Sequence, residues 1–389
     1  MTRTRRLAVV SHTPHHRTAD GLVGWGPTVT ELDHLATLFD EVVHVAPVHD
    51  GPPPASALAY AAPNLRVEPA PAAGGDGLRA KVVLALSTPG LLAAVRRGTR
   101  EADALHVRCP ANISGLALAW LRLTRDRRPS WVKYAGNWRP EGEDPWSYRL
   151  QRRWLRHGFG RLAVTVNGRG TDPEHVRAFA NPSLTDDDLA RGRAAAAAKP
   201  DPADGVRLVF VGRVEDEKGA PEAVRTAIAV ERAGHRVHLD VVGDGPARSA
   251  CTALALDADL DTTFHGWLDR TGVHDVLGDA HVALLASRAS EGWPKVLSEA
   301  MAFGAVPVAS AVSSVPQVLA DTGAGVSVPG TDAEDHAAAV LALLAAPATL
   351  HARRDAGVAA APAYGFTAYL EAVTELFADR WDIDLGVPA

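Results

Sequence analysis

Short apolar runs punctuated by glycine and proline alternate along this chain with segments whose apolar residues recur every three or four positions. The runs predict strands buried on both faces, and the recurrence predicts helices packed against them. In the first half, strands are predicted at residues 7–11, 42–45, 104–107, 131–134 and 162–166, with helices at 28–38, 77–98, 111–123 and 146–158. The helix at 28–38 turns Val29, Leu32 and Leu35 inward. In the second half, strands are predicted at 206–211, 237–242, 262–267, 281–287 and 306–309. Helices are predicted at 221–233, after Gly243-Asp-Gly-Pro246, from Pro294 to Gly304, and at 366–381. Proline suits the first position of a helix and glycine its end, which fixes the Pro294–Gly304 boundaries. Strand and helix alternating twice over predict an α/β chain of two Rossmann-like β/α/β domains. Residues 191–205, an alanine run followed by proline and charge, read as the linker between them. The domains are then 1–190 and 206–363, with 364–389 a terminal segment.

Composition narrows the class. At 389 residues two domains are expected, and 47% hydrophobic content supplies two cores. A formal charge of −6 argues against general nucleic-acid binding. Cys109 and Cys251 fall in different domains and form no metal or disulfide framework. The first residues run directly into a strand without a signal-peptide pattern, and no run is apolar enough to span a bilayer, so a cytoplasmic chain is expected. Abundant alanine, arginine and glycine go with a GC-rich bacterial genome, by association only.

The candidate chemistry lies at strand ends, where ligands of parallel sheets bind. Between the strands at 281–287 and 306–309 stand Glu291-Gly292-Trp293-Pro294-Lys295-Val296 and, within the helix, Glu299. The helix rises about 1.5 Å per residue, which sets the two carboxylates too far apart for an acid/base dyad. They suit the grip on an elongated ligand whose phosphate meets the free N–H groups between them, chiefly of Lys295 and Val296, because Pro294 donates none. The plainer reading is a solvated Glu291 and a Glu299 paired with Lys295. After the strand at 206–211, Gly212-Arg213 and Lys218-Gly219 precede a helix; this is a diphosphate site, or two cations neutralising Glu215, Asp216 and Glu217. Gly266 ends another strand.

In the first half, the long loop 12–27 carries Gly24, Trp25 and Gly26, whose glycines permit close approach of a ligand. Arg108 and Asn137 end later strands and line the expected cleft wall. Arg108 either binds phosphate or an acidic acceptor, or makes a structural ion pair. His12, His15 and His16 lack the frame of a metal site, and Asp257-x-Asp259 sits away from the cleft, so no metal is expected. Arg149, Arg152, Arg153 and Arg156 form a basic helix face, solvated or resting on an anionic membrane surface.

Glu291-x7-Glu299 followed by Ala-Met-Ala-x-Gly, together with Val-Gly-Arg213-x4-Lys218-Gly, resembles the signature of retaining GT-B glycosyltransferases, specifically glycosyltransferase family 4. Trp293-Pro294 departs from the aromatic-glycine pair usual there. The resemblance implies two Rossmann-like domains facing a central cleft, with the terminal segment folding back on the first. It implies a nucleotide-diphosphate sugar, UDP-sugar foremost, as co-substrate, with no other cofactor. Glu291 would face the donor sugar, Glu299 hold the ribose, and Arg213 and Lys218 hold the diphosphate. Gly212, Gly266, Gly292, Trp293, Lys295 and Val296 would complete the donor site. The acceptor, a glycan, glycolipid or natural product, would lie on the first domain near Gly24–Gly26, Arg108 and Asn137, with peripheral contact to the inner membrane face compatible with such acceptors. Two alternatives stay open: a GT-B sugar-nucleotide epimerase or hydrolase, and a non-catalytic sugar-nucleotide-binding subunit.

Overall fold

The computed structural model describes residues 5–73, 77–140, 145–168, 172–202, 205–288 and 292–386, the side chains of 78–80 excepted. The chain divides into two compact units, Met1–Phe179 with Tyr369–Ala389, and Ala180–Ala368.

The first unit is built on β1 (Arg6–Val10), β2 (His15–Thr18), β3 (Gly21–Trp25), α1 (Gly26–Ala36), β4 (Glu41–His49), β5 (Ala57–Ala59), β6 (Leu65–Pro71), α2 (Gly77–Thr99), β7 (Ala104–Cys109), α3 (Asn112–Leu123), β8 (Ser130–Tyr134), α4 (Trp146–His157), β9 (Leu162–Val166) and β10 (Val176–Ala178). Strands β6-β4-β1-β7-β8-β9-β10 pair in parallel, so the order reverses direction between β1 and β7. Successive strand residues face opposite sides, and both sides are covered. Ala8 and Val10 share a core with Val95 of α2, Leu118 of α3 and Leu155 of α4. Leu7 and Val9 pack with Leu32 and Leu35 of α1 and with Val373, Leu376 and Phe377 near the C-terminus. The loop expected over 12–27 is in part a hairpin: β2 and β3 pair antiparallel from His15↔Gly24 to Thr18↔Gly21, and β5 adds to β3. Ala19 and Asp20 form the two-residue turn, and Gly21, which opens β3 at φ +126°, is the local signal for it.

The second unit contains α5 (Asp186–Ala198), β11 (Val206–Val211), α6 (Ala220–Arg232), β12 (Val237–Val242), α7 (Arg248–Asp257), β13 (Thr262–Gly266), α8 (Arg270–Asp279), β14 (Val282–Leu285), α9 (Lys295–Ala302), β15 (Val306–Ser310), α10 (Val315–Thr322), β16 (Val326–Val328), α11 (Ala333–Leu344) and α12 (Pro347–Ala360). Its sheet is wholly parallel in the order β13-β12-β11-β14-β15-β16. That order is the doubly wound one, with its reversal between β11 and β14. The final helix α13 (Phe366–Trp381) begins in this unit, and from Tyr369 onward it belongs to the first.

The segment read as a linker, residues 191–205, is instead helical through Ala198. Thr185 and Asp188 form a reciprocal capping box at the start of α5, and alanine is the strongest helix former. Its Gly192 lies against Ala302 of α9, so α5 is part of the second unit's packing.

Candidate functional site

The reversal point of the second sheet places the segment after β11 beside the segment after β14. Gly219, at φ +75°, caps α6; a Cβ there would stand 2.1 Å from the carbonyl oxygen of Ala286. Only glycine permits that approach. The carbonyl of Glu217 then accepts from the Ser287 hydroxyl at 3.2 Å and the Arg288 N–H at 2.9 Å. Lys218 is thereby fixed next to the end of β14. It is half-buried, and burial pushes its ammonium pKa down, with the Glu215 charge acting the other way. Arg213 is exposed and pairs with Glu215 at 3.2 Å. The turn Gly243–Gly245 supports Arg213 from behind: Gly212 N–H donates to Val242 O at 3.0 Å and Val214 N–H to Asp244 O at 3.1 Å. Gly266, at φ +70°, accepts from Gly243 N–H at 2.7 Å, so its part here is in the scaffold of that turn.

Glu291 lies outside the described residues. Beyond it, Gly292 is held by Ser314, whose hydroxyl and N–H both donate to the Gly292 carbonyl, at 2.5 and 3.3 Å. Pro294 is the N-cap of α9, and Lys295 and Val296 open the helix with no acidic side chain in its first turn. Exposed N–H groups at such a terminus favour an anion. Trp293, expected among the donor-binding residues, is only 3% exposed. Its indole N–H donates to Ser298 Oγ at 2.6 Å and its ring stacks on Tyr364. It therefore supports the loop from the core and presents no ring surface to a ligand.

Glu299 is half-buried on α9 and makes no hydrogen bond or ion pair among the described residues. The pairing with Lys295 is not its environment. Burial pushes its carboxyl pKa up, while His274, Arg270 and Lys295 pull it down without cancelling that effect. Around it, Asp188 bonds Arg270 and stands 3.2 Å from His274, whose ring stacks on Phe303. Among the described residues Glu299 is thus an acceptor without a donor, set in a cationic surround.

In the first unit the expected residues serve different ends. Arg108 is committed to Glu31, with two bonds of 2.7 and 3.2 Å. Lys133 reaches the same carboxylate at 2.7 Å, and the Tyr369 hydroxyl donates to it at 3.3 Å. Glu31 is fully buried, and sequence reasoning did not single it out. Its place on the inward face of α1, four residues before Leu35, was the available signal. The structural ion pair is therefore the observed role of Arg108; a phosphate-binding role is not supported. Gly24 and Gly26 are buried by close packing, since a Cβ would meet His15 at 2.6 Å and Ser56 O at 2.6 Å respectively. Trp25 is half-exposed between them. Asn137 accepts from the Arg139 N–H at 2.9 Å and shapes the turn after β8. His15 is spent on Thr13 O and Tyr60 OH, and His16 stacks on His49. Among the described residues no group of three or more His, Cys, Asp or Glu could hold a metal ion.

The family "Glycosyl transferases group 1" matches residues 194–360. The chain is 30% identical over 221 residues to a D-inositol 3-phosphate glycosyltransferase 2 of Catenulispora acidiphila, covering 54% of this chain and 51% of that protein. It is 32% identical over 227 residues to the D-inositol 3-phosphate glycosyltransferase of Kribbella flavida, covering 54% and 52%. The chain thus spans about half the length of these curated relatives. Among solved structures, sucrose-phosphate synthase from Thermosynechococcus elongatus superposes with a TM-score of 0.70 at 19% identity, over 97% of this chain and 99% of that one. HepE of Anabaena in complex with UDP and glucose gives 0.64 at 14% identity, over 96% and 100%. Residues 194–360 thus match the group 1 glycosyl transferase family, and the chain has the fold of the GT-B glycosyltransferases.

Proposed function

We propose that the chain transfers a glycosyl group from a nucleoside diphosphate sugar, a UDP-sugar foremost, to a hydroxyl of its acceptor, with retention at the anomeric carbon and without a metal ion. The observation that carries this reading is the joined pair of segments at the β11/β14 reversal. Arg213 and Lys218 stand on the segment after β11, and the segment after β14 leads into the N-terminus of α9, with the Glu299 carboxylate a turn further along.

In the reaction, the acceptor oxygen bonds to the anomeric carbon as that carbon's bond to the β-phosphate oxygen breaks. The acceptor proton leaves on the departing phosphate. Negative charge grows on the diphosphate, and Arg213, Lys218 and the first N–H groups of α9 stabilise it. Glu299 accepts from the ribose hydroxyls, and Glu291 faces the sugar. That HepE was crystallised with UDP and with UDP-glucose supports uridine as the base. The names of the curated relatives support a phosphorylated polyol as one acceptor to try. A cytoplasmic setting is part of the same proposal.

Binding of a donor should raise the melting temperature by mass action. A thermal-shift panel of UDP-, GDP-, ADP- and dTDP-sugars is expected to single out the UDP series, and Glu299→Ala to abolish that shift. Glu291→Ala is expected to lower turnover far more than nucleotide affinity. Equal nucleotide affinity in wild type and Glu299→Ala would contradict the assignment.

A further inference from the structure

The basic face of α4 borders an open pocket of about 640 Å³, lined by Arg139, Arg149, Arg152, Arg153, Arg156 and His157. That is the size of a small-molecule site. Positions 149, 152, 153 and 156 share one helical face, and packing fixes two of these guanidiniums in place. Arg152 is 4% exposed, donates to Tyr134 OH at 2.8 Å and lies over the Tyr134 ring. Arg156 donates to the Trp138 carbonyl at 2.8 Å with its guanidinium 5.0 Å above that indole. Tyr134 and Trp138 brace one another edge to face at 5.2 Å.

Five arginines line the cavity. Arg139 pairs with Asp172 at 2.8 Å, and Asp172 also accepts from Trp138 Nε1 at 3.0 Å. Arg149 and Arg153 have no acidic partner among the described residues. Like charges three and four residues apart repel, so Arg149 and Arg153, one turn apart, are disfavoured side by side without an anion. Guanidiniums match phosphate oxygens in pairs. We propose that this cavity is a binding site for a molecule carrying two or more phosphate groups. It lies at the carboxyl end of β8 in the first unit, and it is argued independently of the donor site in the second.

The probe is inorganic pyrophosphate, titrated against the full chain at matched ionic strength. Because pyrophosphate also resembles a donor diphosphate, binding is measured in wild type, in Arg213→Gln and in Arg149→Gln/Arg153→Gln. Expected are binding that survives Arg213→Gln and weakens at least tenfold in the double variant, with UDP affinity of the double variant unchanged. Both substituted arginines are exposed, so the double variant should fold. A second arm uses phosphatidylcholine vesicles with and without cardiolipin. Retention on cardiolipin that pyrophosphate reverses assigns the phosphates to a lipid headgroup; pyrophosphate binding without retention assigns them to a soluble ligand. No pyrophosphate binding beyond the matched-salt effect would overturn the proposal. Undiminished binding in the double variant would overturn it as well.

Discussion

Two carboxylates, Glu31 and Glu299, show how burial and partnership set the meaning of a side chain. Glu31 is fully buried and holds two cations, so removing it strands charge in the core. Glu31→Ala should cost roughly 3–5 kcal/mol of stability, read from denaturant midpoints, since an uncompensated buried charge remains. Glu299→Ala should leave the midpoint near wild type and remove nucleotide binding. The pH dependence follows from the same environment. To accept from ribose hydroxyls Glu299 must be ionised, and burial holds its pKa above the usual carboxyl value. Nucleotide affinity should therefore be full at neutral pH and fall as pH drops through that raised value, above the ordinary range of about 4.3. Calorimetric titration across the acid range checks this, and Glu299→Gln should flatten the profile. None of this contrast was legible in the sequence. Glu299 could be picked out through its spacing from Glu291, but Arg108 could not be assigned to Glu31, because that pairing joins α1 to β7 across the fold.

Elements were more legible than contacts, and their failures have physical causes. The parallel strands of both sheets are continuous apolar runs, which is why they could be placed. The hairpin β2–β3 was hidden because His15-His-Arg-Thr is polar and carries little strand signal. Helix α5 was hidden behind its proline-rich exit, although Thr185-x-x-Asp188 marks its start. That capping box makes a prediction. Burial alone would raise the Asp188 carboxyl, but hydrogen bonds from His274 and Thr185 and the Arg270 charge outweigh it, holding the pKa below the normal carboxylate range. A depressed carboxyl stabilises the fold above its unfolded value, about 3.9, and loses that contribution as pH falls through the folded one. The stability gap between wild type and Asp188→Asn should be widest near neutrality and shrink below about pH 4. At the other end of the unit, Gly219→Ala must adopt a positive φ and displace Ala286, so it should lower both melting temperature and donor affinity. The arginine, lysine and glutamate motifs marked the segments after β11 and β14; what joins them, the Glu217 carbonyl and Ser287, carried no sequence signal.

At the scale of the whole chain, the first unit is discontinuous. Tyr369, Leu370, Val373, Leu376, Phe377 and Trp381 are all buried in its core. Each contributes about 1.5–3 kcal/mol by burial, so their combined loss, about 9–18 kcal/mol, is as large as the roughly 5–15 kcal/mol that holds a typical domain folded. Truncation after Ala368 should leave the first unit unfolded, seen as loss of its cooperative transition and protease resistance, while the second keeps its own. During synthesis this reverses the usual order of maturation. The amino-terminal sheet leaves the ribosome early but lacks its closing helix until about 190 further residues have been made. At about 5–20 residues per second that is a wait of roughly 10–40 s, in which the second unit can fold first while the first stays exposed to misfolding.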